Sequence, residues 1–332
     1  MELPTGKTIL SGIQPSGAVH LGNYLGAIKQ WVALQDDNNV FYCIVDQHAI
    51  IADYEPKELP GRILDVAATF IAAGLDPEKC TLFVQSQVPA HTELAWLLST
   101  VTPLGELERM TQFKDKSQGA AAKKVSLGLF SYPVLQTADI ILYRANTVPV
   151  GEDQVQHIEL ARDIVRRFNN QFGETFVAPE AFVNKNAARI MSLTDPTSKM
   201  SKSDQQPKSY VALTDEPEAI RKKIMSAVTE TEPVFSFTES GPAVQNLLRI
   251  YEALSGESRD AIESTFNGAD YKTFKEALAE LVVTTLTPLQ ERYRDVRADE
   301  AKLQDILAAG RDHAATVANQ TLAEAREKMG LR

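Results

Sequence analysis

Short apolar runs and longer amphipathic stretches alternate through the first two-thirds of the chain. The runs Thr8–Ile13, Val40–Val45 and Thr81–Val84, with a weaker one near Thr147–Val150, have the length and β-prone composition of buried strands. Between them, apolar positions recur at helical spacing over Tyr24–Leu34, Leu59–Ala73, Thr92–Val101, Val134–Leu142 and Gln154–Phe168. This alternation predicts an α/β domain, a doubly wound parallel sheet with right-handed crossovers. Ligands of such sheets bind beyond the carboxyl ends of the strands, where the strand order reverses. Gly12–Gly17 and Asp46–His48 both fall at predicted strand ends.

After Pro207 the strand signal fades. Glu218–Val228, Val244–Leu254, Tyr271–Tyr293 and Ala301–Ala325 carry helical periodicity, with Pro217 suited to a first helical turn. Pro233, Gly241-Pro242 and Gly256 separate them. The expected organisation is an α/β domain over 1–207 and an all-helical domain over 208–332, whose last helix can pack back on the first. Lys114–Ser126, reading K-D-K-S-Q-G-A-A-A-K-K-V-S, interrupts the pattern as a polar, basic loop: an inert insertion or a mobile lid.

Composition adds limits. The chain of 332 residues exceeds the usual size of one core, and its 44% hydrophobic and 23% charged residues are ordinary for a soluble globular protein. No apolar run reaches bilayer length, and the first residues lack a basic start and apolar core, so neither membrane nor signal peptide is expected. Cys43 and Cys80 lie in apolar runs without C-x-x-C spacing, which predicts buried free thiols in a reducing cytoplasm and no zinc site. A net charge of −10 argues against a protein that coats DNA or RNA through a global basic field. Residues 208–332 hold 16 Lys+Arg against 21 Asp+Glu and the remainder 18 against 23, so neither part is basic. An RNA partner would have to meet local patches, for which Arg221-Lys222-Lys223 and Arg292, Arg294 and Arg297 are candidates.

Two stretches carry the chemistry. Gly12–Gly26 reads G-I-Q-P-S-G-A-V-H-L-G-N-Y-L-G, a strand breaking into a turn and restarting as a helix. The first N–H groups of a helix are unpartnered and partly positive, so this arrangement accepts phosphate. Lys199-Met200-Ser201-Lys202-Ser203 lies in a polar, Pro-flanked loop, where two ammonium groups can follow charge developing on a polyphosphate.

Together the two stretches resemble the paired signatures of class I aminoacyl-tRNA synthetases, the HIGH-type turn and the KMSKS loop. His20-Leu21-Gly22-Asn23 departs from His-Ile-Gly-His at its last position. That ending, with Val45–Ala49, Gly105–Lys114 and Val150–Gln154, is similar to the tryptophanyl-tRNA synthetases over about Lys7 to Pro207, and more loosely to the C-terminus. The resemblance implies a Rossmann-like catalytic domain and a helical anticodon-binding domain. It also implies a ligase that forms tryptophanyl-adenylate and pyrophosphate from ATP and L-tryptophan, then charges tRNA(Trp). Magnesium is expected on the phosphates, without a protein cage. A homodimer in the cytoplasm is expected, with tRNA crossing between subunits.

By the same resemblance Gln14, Pro15 and Ser16 lie along ATP, and His20, Gly22 and Asn23 approach its phosphates and ribose. Gly151, Glu152 and Asp153 would hold the ribose, and the Ile190 backbone would meet adenine. Lys199, Met200, Ser201, Lys202 and Ser203 would close on the phosphates, with Lys199, Ser201 and Lys202 acting in catalysis. Amino-acid choice is expected from the helix Pro133–Leu142. Asp139, a carboxylate among apolar and small residues, would be costly unpaired, and an indole N–H would satisfy it. Tyr132, His48, Val150 and Gln154 complete the expected tryptophan pocket. His91 with Thr92 reads as a helix cap, His157 as structural, and His313 has no assigned role. Two rivals remain at this stage: tyrosine activation on the same fold, and an RNA-binding paralogue that charges nothing.

Overall fold

The computed structural model describes residues 3–117, 125–184, 189–201 and 206–331. Strand β1 (Thr8–Ile13) turns into a continuous helical path made of α1 (Leu21–Asn23), a π-helix (Tyr24–Ile28) and α2 (Lys29–Leu34). Next come β2 (Asn39–Ile44), α3 (Asp46–Ala49), α4 (Leu59–Ala72) and β3 (Cys80–Val84), followed by α5 (Ala90–Ser99), α6 (Leu104–Glu108) and α7 (Thr111–Lys116). Helix α8 (Leu127–Ile141) leads to β4 (Thr147–Pro149), and α9 (Val155–Phe172) to β5 (Glu180–Phe182). The remainder is helical: α10 (Pro217–Met225), α11 (Pro242–Ser255), α12 (Arg259–Phe266), α13 (Tyr271–Ala298) and α14 (Glu300–Lys328).

Among the described residues the five strands form one parallel sheet in the order β3-β2-β1-β4-β5. The order reverses between β1 and β4, the switch point of a doubly wound sheet. Side-chain alternation explains why these strands read as unbroken apolar runs. Ile9, Val40, Tyr42, Ile44 and Leu82 feed one apolar cluster, whereas Leu10, Phe41, Cys43 and Phe83 feed another on the opposite face.

The first cluster does not stop at the sheet. It continues from Leu25, Ile28, Trp31 and Phe70 through Ile220, Leu247, Phe274 and Leu286 of the helical part. Helix α14 touches both clusters, with Leu303 and Leu307 in the first and Ala314, Ala318, Leu322 and Ala325 in the second. Between these two sets it passes over the edge strand β3. A Cβ on Gly310 would lie 1.8 Å from the Leu82 carbonyl oxygen, so the helix backbone rests directly on the strand. His313 Nδ1 pairs with Thr81 Oγ1 at 2.8 Å, and its ring stacks on Phe41, which gives that histidine a structural role.

Two local expectations are corrected. Lys114–Lys116 closes helix α7, ended at Ser117, and is not loop; residues 118–124 of the expected loop lie outside the described residues. Helix α8 begins well before Pro133, because the Ser126 side chain caps it by accepting from Leu129 N. Proline inside the helix forfeits one i→i−4 bond and is carried there by packing.

Candidate active site

The signature turn builds its own geometry. Gly17, at φ 140°, takes a backbone conformation that L side chains rarely adopt and turns the chain after β1. His20 then opens α1 with a reciprocal cap. Its Nδ1 accepts from Asn23 N at 3.3 Å, and Asn23 Oδ1 accepts from His20 N at 3.1 Å. The departure from the commoner signature is thus a capping residue, since asparagine can accept from the backbone while its amide still donates. Gly22 is small for a specific reason: a Cβ there would meet the His20 ring at 3.1 Å and Met200 Cβ at 3.4 Å.

Backbone pairing stitches the two signatures together. Leu21 N donates to Val211 O and Leu213 N to Val19 O, around an antiparallel bridge between His20 and Ala212. The second signature folds on Ile190–Ser192 as a short hairpin. Met200 N donates to Ile190 O, Ser192 N donates to Ser198 O, and Met191 bridges Lys199. His20 is 7% exposed; burial, then the Lys199 charge, pull its pKa down to about 4. The imidazole is therefore neutral at physiological pH. With Nδ1 used as an acceptor, Nε2 carries the proton and remains a donor.

On the far side of β1 a second constellation surrounds Asp139 on α8. Its carboxylate is 2% exposed and meets three groups: Gln85 Nε2 donates to Oδ1 at 2.8 Å, His91 Nδ1 lies 2.6 Å from Oδ1, and His48 Nε2 lies 2.7 Å from Oδ2. Burial acts to raise its pKa, but the charge and hydrogen bond of His48 and those of His91 outweigh it and hold the group ionised, below the carboxylate range. His91 in turn pairs through Nε2 with the Tyr143 hydroxyl at 2.8 Å. The expectation of a lone carboxylate awaiting a ligand is corrected: three groups already meet it. A carboxylate offers about four acceptor positions, so one remains for an incoming N–H.

The expected pocket residues gather here. The Tyr132 ring lies edge-on to His48 at 6.2 Å, and its hydroxyl pairs with His157 Nε2 at 2.8 Å. Burial and then the nearby Asp153 charge push that hydroxyl up to about 12. Gln136 Nε2 donates to Gln154 Oε1 at 3.4 Å, and Val150 packs on the second apolar cluster. Gln14, Ser16, Gly151, Glu152, Asp153 and Lys199 are exposed, flanking the switch point and its rim, while Pro15, Ile190 and Met200 are buried beneath them. Ser201 is half-buried, and Lys202 and Ser203 lie outside the described residues.

Three members were missed in the sequence: Gln85, His91 and Tyr143. Gln85 follows β3 directly, and the rule that singled out Asp46–His48, polar residues at a strand end, could have found it. His91 is not a cap; α5 starts at Ala90 with no side-chain cap, and Thr92 Oγ1 donates to Pro89 O. The basic candidates for RNA are largely engaged within the chain. Arg292 donates to Ala72 O at 2.7 Å, Arg297 to Asp65 at 2.9 Å, Arg221 to Glu280 at 2.9 Å and Lys223 to Asp215 at 2.6 Å, whereas Lys222 is exposed.

Residues 5–287 match the family described as tRNA synthetases class I (W and Y). A tryptophan–tRNA ligase of Caldanaerobacter subterraneus subsp. tengcongensis is 52% identical over 326 residues, which span 98% of both chains. Among solved structures, the tryptophanyl-tRNA synthetase of Mycoplasma pneumoniae aligns with a TM-score of 0.90 at 36% identity over 99% of each chain. That of Campylobacter jejuni, complexed with ADP and tryptophan, gives 0.83 at 36% identity over 98% of this chain and 100% of the other. The chain therefore belongs to the class I tRNA synthetases of the tryptophan and tyrosine group, and within them to the tryptophanyl-tRNA synthetases.

Proposed function

We propose that the protein is a tryptophan–tRNA ligase that joins L-tryptophan to ATP, releasing pyrophosphate, and then transfers tryptophan to the 3′ end of tRNA(Trp). The observation that carries this reading is the buried Asp139 carboxylate, held by Gln85, His91 and His48 among the expected tryptophan-pocket residues. An indole N–H fits it; a phenyl side chain has no donor.

The tryptophan carboxylate is already an adequate nucleophile toward the α-phosphorus, so no general base is needed. Rate enhancement comes from alignment and from donors aimed at charge growing on the leaving pyrophosphate. Asp139 fixes the indole end, with His48, Tyr132, Val150 and Gln154 around it. Gln14 to Ser16, Gly22 and Asn23 follow the nucleotide, Gly151 to Asp153 face its ribose, and the Ile190 backbone meets adenine. The neutral His20 offers Nε2–H to a phosphate without adding a fixed charge. Lys199, with Ser201 and, from the sequence, Lys202, supplies cationic and hydroxyl donors to the phosphates. Magnesium enters with ATP as part of the substrate, held by phosphate oxygens. Residues 208–332 are read as the anticodon-binding part, and the working form as a cytoplasmic homodimer.

Amino-acid-dependent ATP–pyrophosphate exchange, run in parallel with tryptophan, tyrosine and phenylalanine, tests the reading. Exchange is expected with tryptophan far above the other two. Exchange with tyrosine at or above the tryptophan level would reassign the pocket, and none with any amino acid would remove the ligase reading altogether.

A further inference from the structure

The strand that carries adenine contact in the proposed reading has two edges. One edge pairs with the Lys199 arm, as described. On the other edge Met191 meets a side chain, while Leu193, two residues on, donates to Ser209 O and accepts from Val228 N. Asn246, on α11, donates from Nδ2 to Met191 O at 2.9 Å and accepts at Oδ1 from Met191 N at 2.8 Å. A primary amide making both bonds to one residue imitates a neighbouring β-strand for one register position. Asn246 is 2% exposed and sits among Val244, Leu247, Leu248 and Ile250 on the buried face of its helix. A polar side chain in that setting is costly unless fully paired, and here both functional ends are paired to the same backbone unit.

We propose that Asn246 is a positioning residue for the nucleotide half of the reaction: it fixes the register of Ile190–Met191, and through the Met191–Lys199 bridge the place of Lys199, from a helix outside the sheet. This rests on the proposed roles of Ile190 and Lys199 toward ATP. No other side chain need move for the effect to reach the phosphates. Met200, next along the arm, donates to Ile190 O and lies against the Gly22 backbone, so a slip of this strand shifts both signatures together. Asp139 lies on the other constellation and is not part of this chain of contacts.

Asn246→Leu and Asn246→Ala separate positioning from packing. Leucine keeps the branching at Cγ and the number of heavy atoms, though it is bulkier, and leaves the Met191 N–H and C=O without partners. Alanine opens a small polar space in which water can bridge those two groups. Positioning predicts that KM for ATP in pyrophosphate exchange rises roughly tenfold or more in Asn246→Leu and less in Asn246→Ala, as expected for two lost buried hydrogen bonds. The dissociation constant for tryptophan, measured by equilibrium dialysis, should stay within about twofold, which also shows that each variant is folded. A packing role predicts the reverse order, with leucine tolerated better than alanine. That order, an unchanged KM for ATP in both variants, or an equal loss in tryptophan affinity would each overturn the proposal. Absence of tryptophan-dependent exchange in the unaltered protein would instead sink the functional reading on which it stands.

Discussion

Asp139 holds its place because Gln85, His91 and His48 converge on it, from 54, 48 and 91 residues away in sequence. Those separations explain why the sequence revealed the carboxylate and His48 but not the bonds that join them with Gln85 and His91: no periodicity or spacing rule links positions brought together only by the sheet. Asp139 was legible because it is polar where its neighbours are apolar, and His48 because it belongs to a polar run at a strand end. His91 was misread because a histidine beside a threonine at a helix start has a plausible local partner. The network also sets what Asp139→Asn should do. An amide presents N–H₂ toward groups that expect an acceptor, so the indole loses its partner and the buried network loses charge-assisted bonds, each worth about 1.5–3 kcal/mol. We expect a large fall in kcat/KM for tryptophan and a smaller one for phenylalanine, narrowing the ratio, because only tryptophan used the acceptor. Exchange kinetics on both amino acids measure this; equal factors for the two would mean that Asp139 supports the fold without reading the indole.

Among the elements, strands with full apolar runs were the most legible. Strand β1 spans Thr8–Ile13 as its apolar run predicts, whereas β5, three residues with exposed Glu180 and Ala181, has no pattern to read. Short helices such as α6 and α12 were missed for the same reason: each is too brief for a 3.6-residue period to declare itself. The length of α14 was legible, but its seat was not, because the cue is Gly310, which by propensity alone reads as a weakness in a helix. Alanine there would raise intrinsic helicity by about 1 kcal/mol. Against that, the new Cβ would lie 1.8 Å from Leu82 O, a backbone atom that cannot rotate away. Overpacking of that kind costs about 1–3 kcal/mol or more, so the clash wins. Gly310→Ala should lower the melting temperature by ~2 °C or more in calorimetry. An unchanged or raised melting temperature would mean that α14 does not rest on β3 as described.

Over the whole molecule, acidity and burial pull in opposite directions as pH falls. Protonating some of the acidic groups behind a net charge of −10 relieves diffuse repulsion, a weak and salt-screened gain. His20 works the other way. Its folded pKa of about 4 lies below the ordinary 6.5, so the unfolded chain binds the proton first. Its contribution is complete above pH 6.5, shrinks as pH falls through 6.5 toward 4, and amounts to about 3 kcal/mol across that window. Urea unfolding at pH 7 and pH 4.5 should show this loss, and His20→Asn, which keeps a capping side chain, should flatten it. A stability that holds or rises on acidification, with no difference between the two proteins, would contradict the buried neutral imidazole. The seat of α14 has one more consequence, in the order of synthesis. The N-terminal part of a chain emerges and begins to fold first. Strand β3 is made early, but the helix that lies along its outer edge comes from residues 300–328, more than two hundred positions downstream. A nascent polypeptide therefore carries an open sheet edge while the intervening residues are made, the feature through which strands from neighbouring chains pair. Chains on one polysome are most exposed to such mispairing until residues 300–328 clear the ribosome and the edge is sealed.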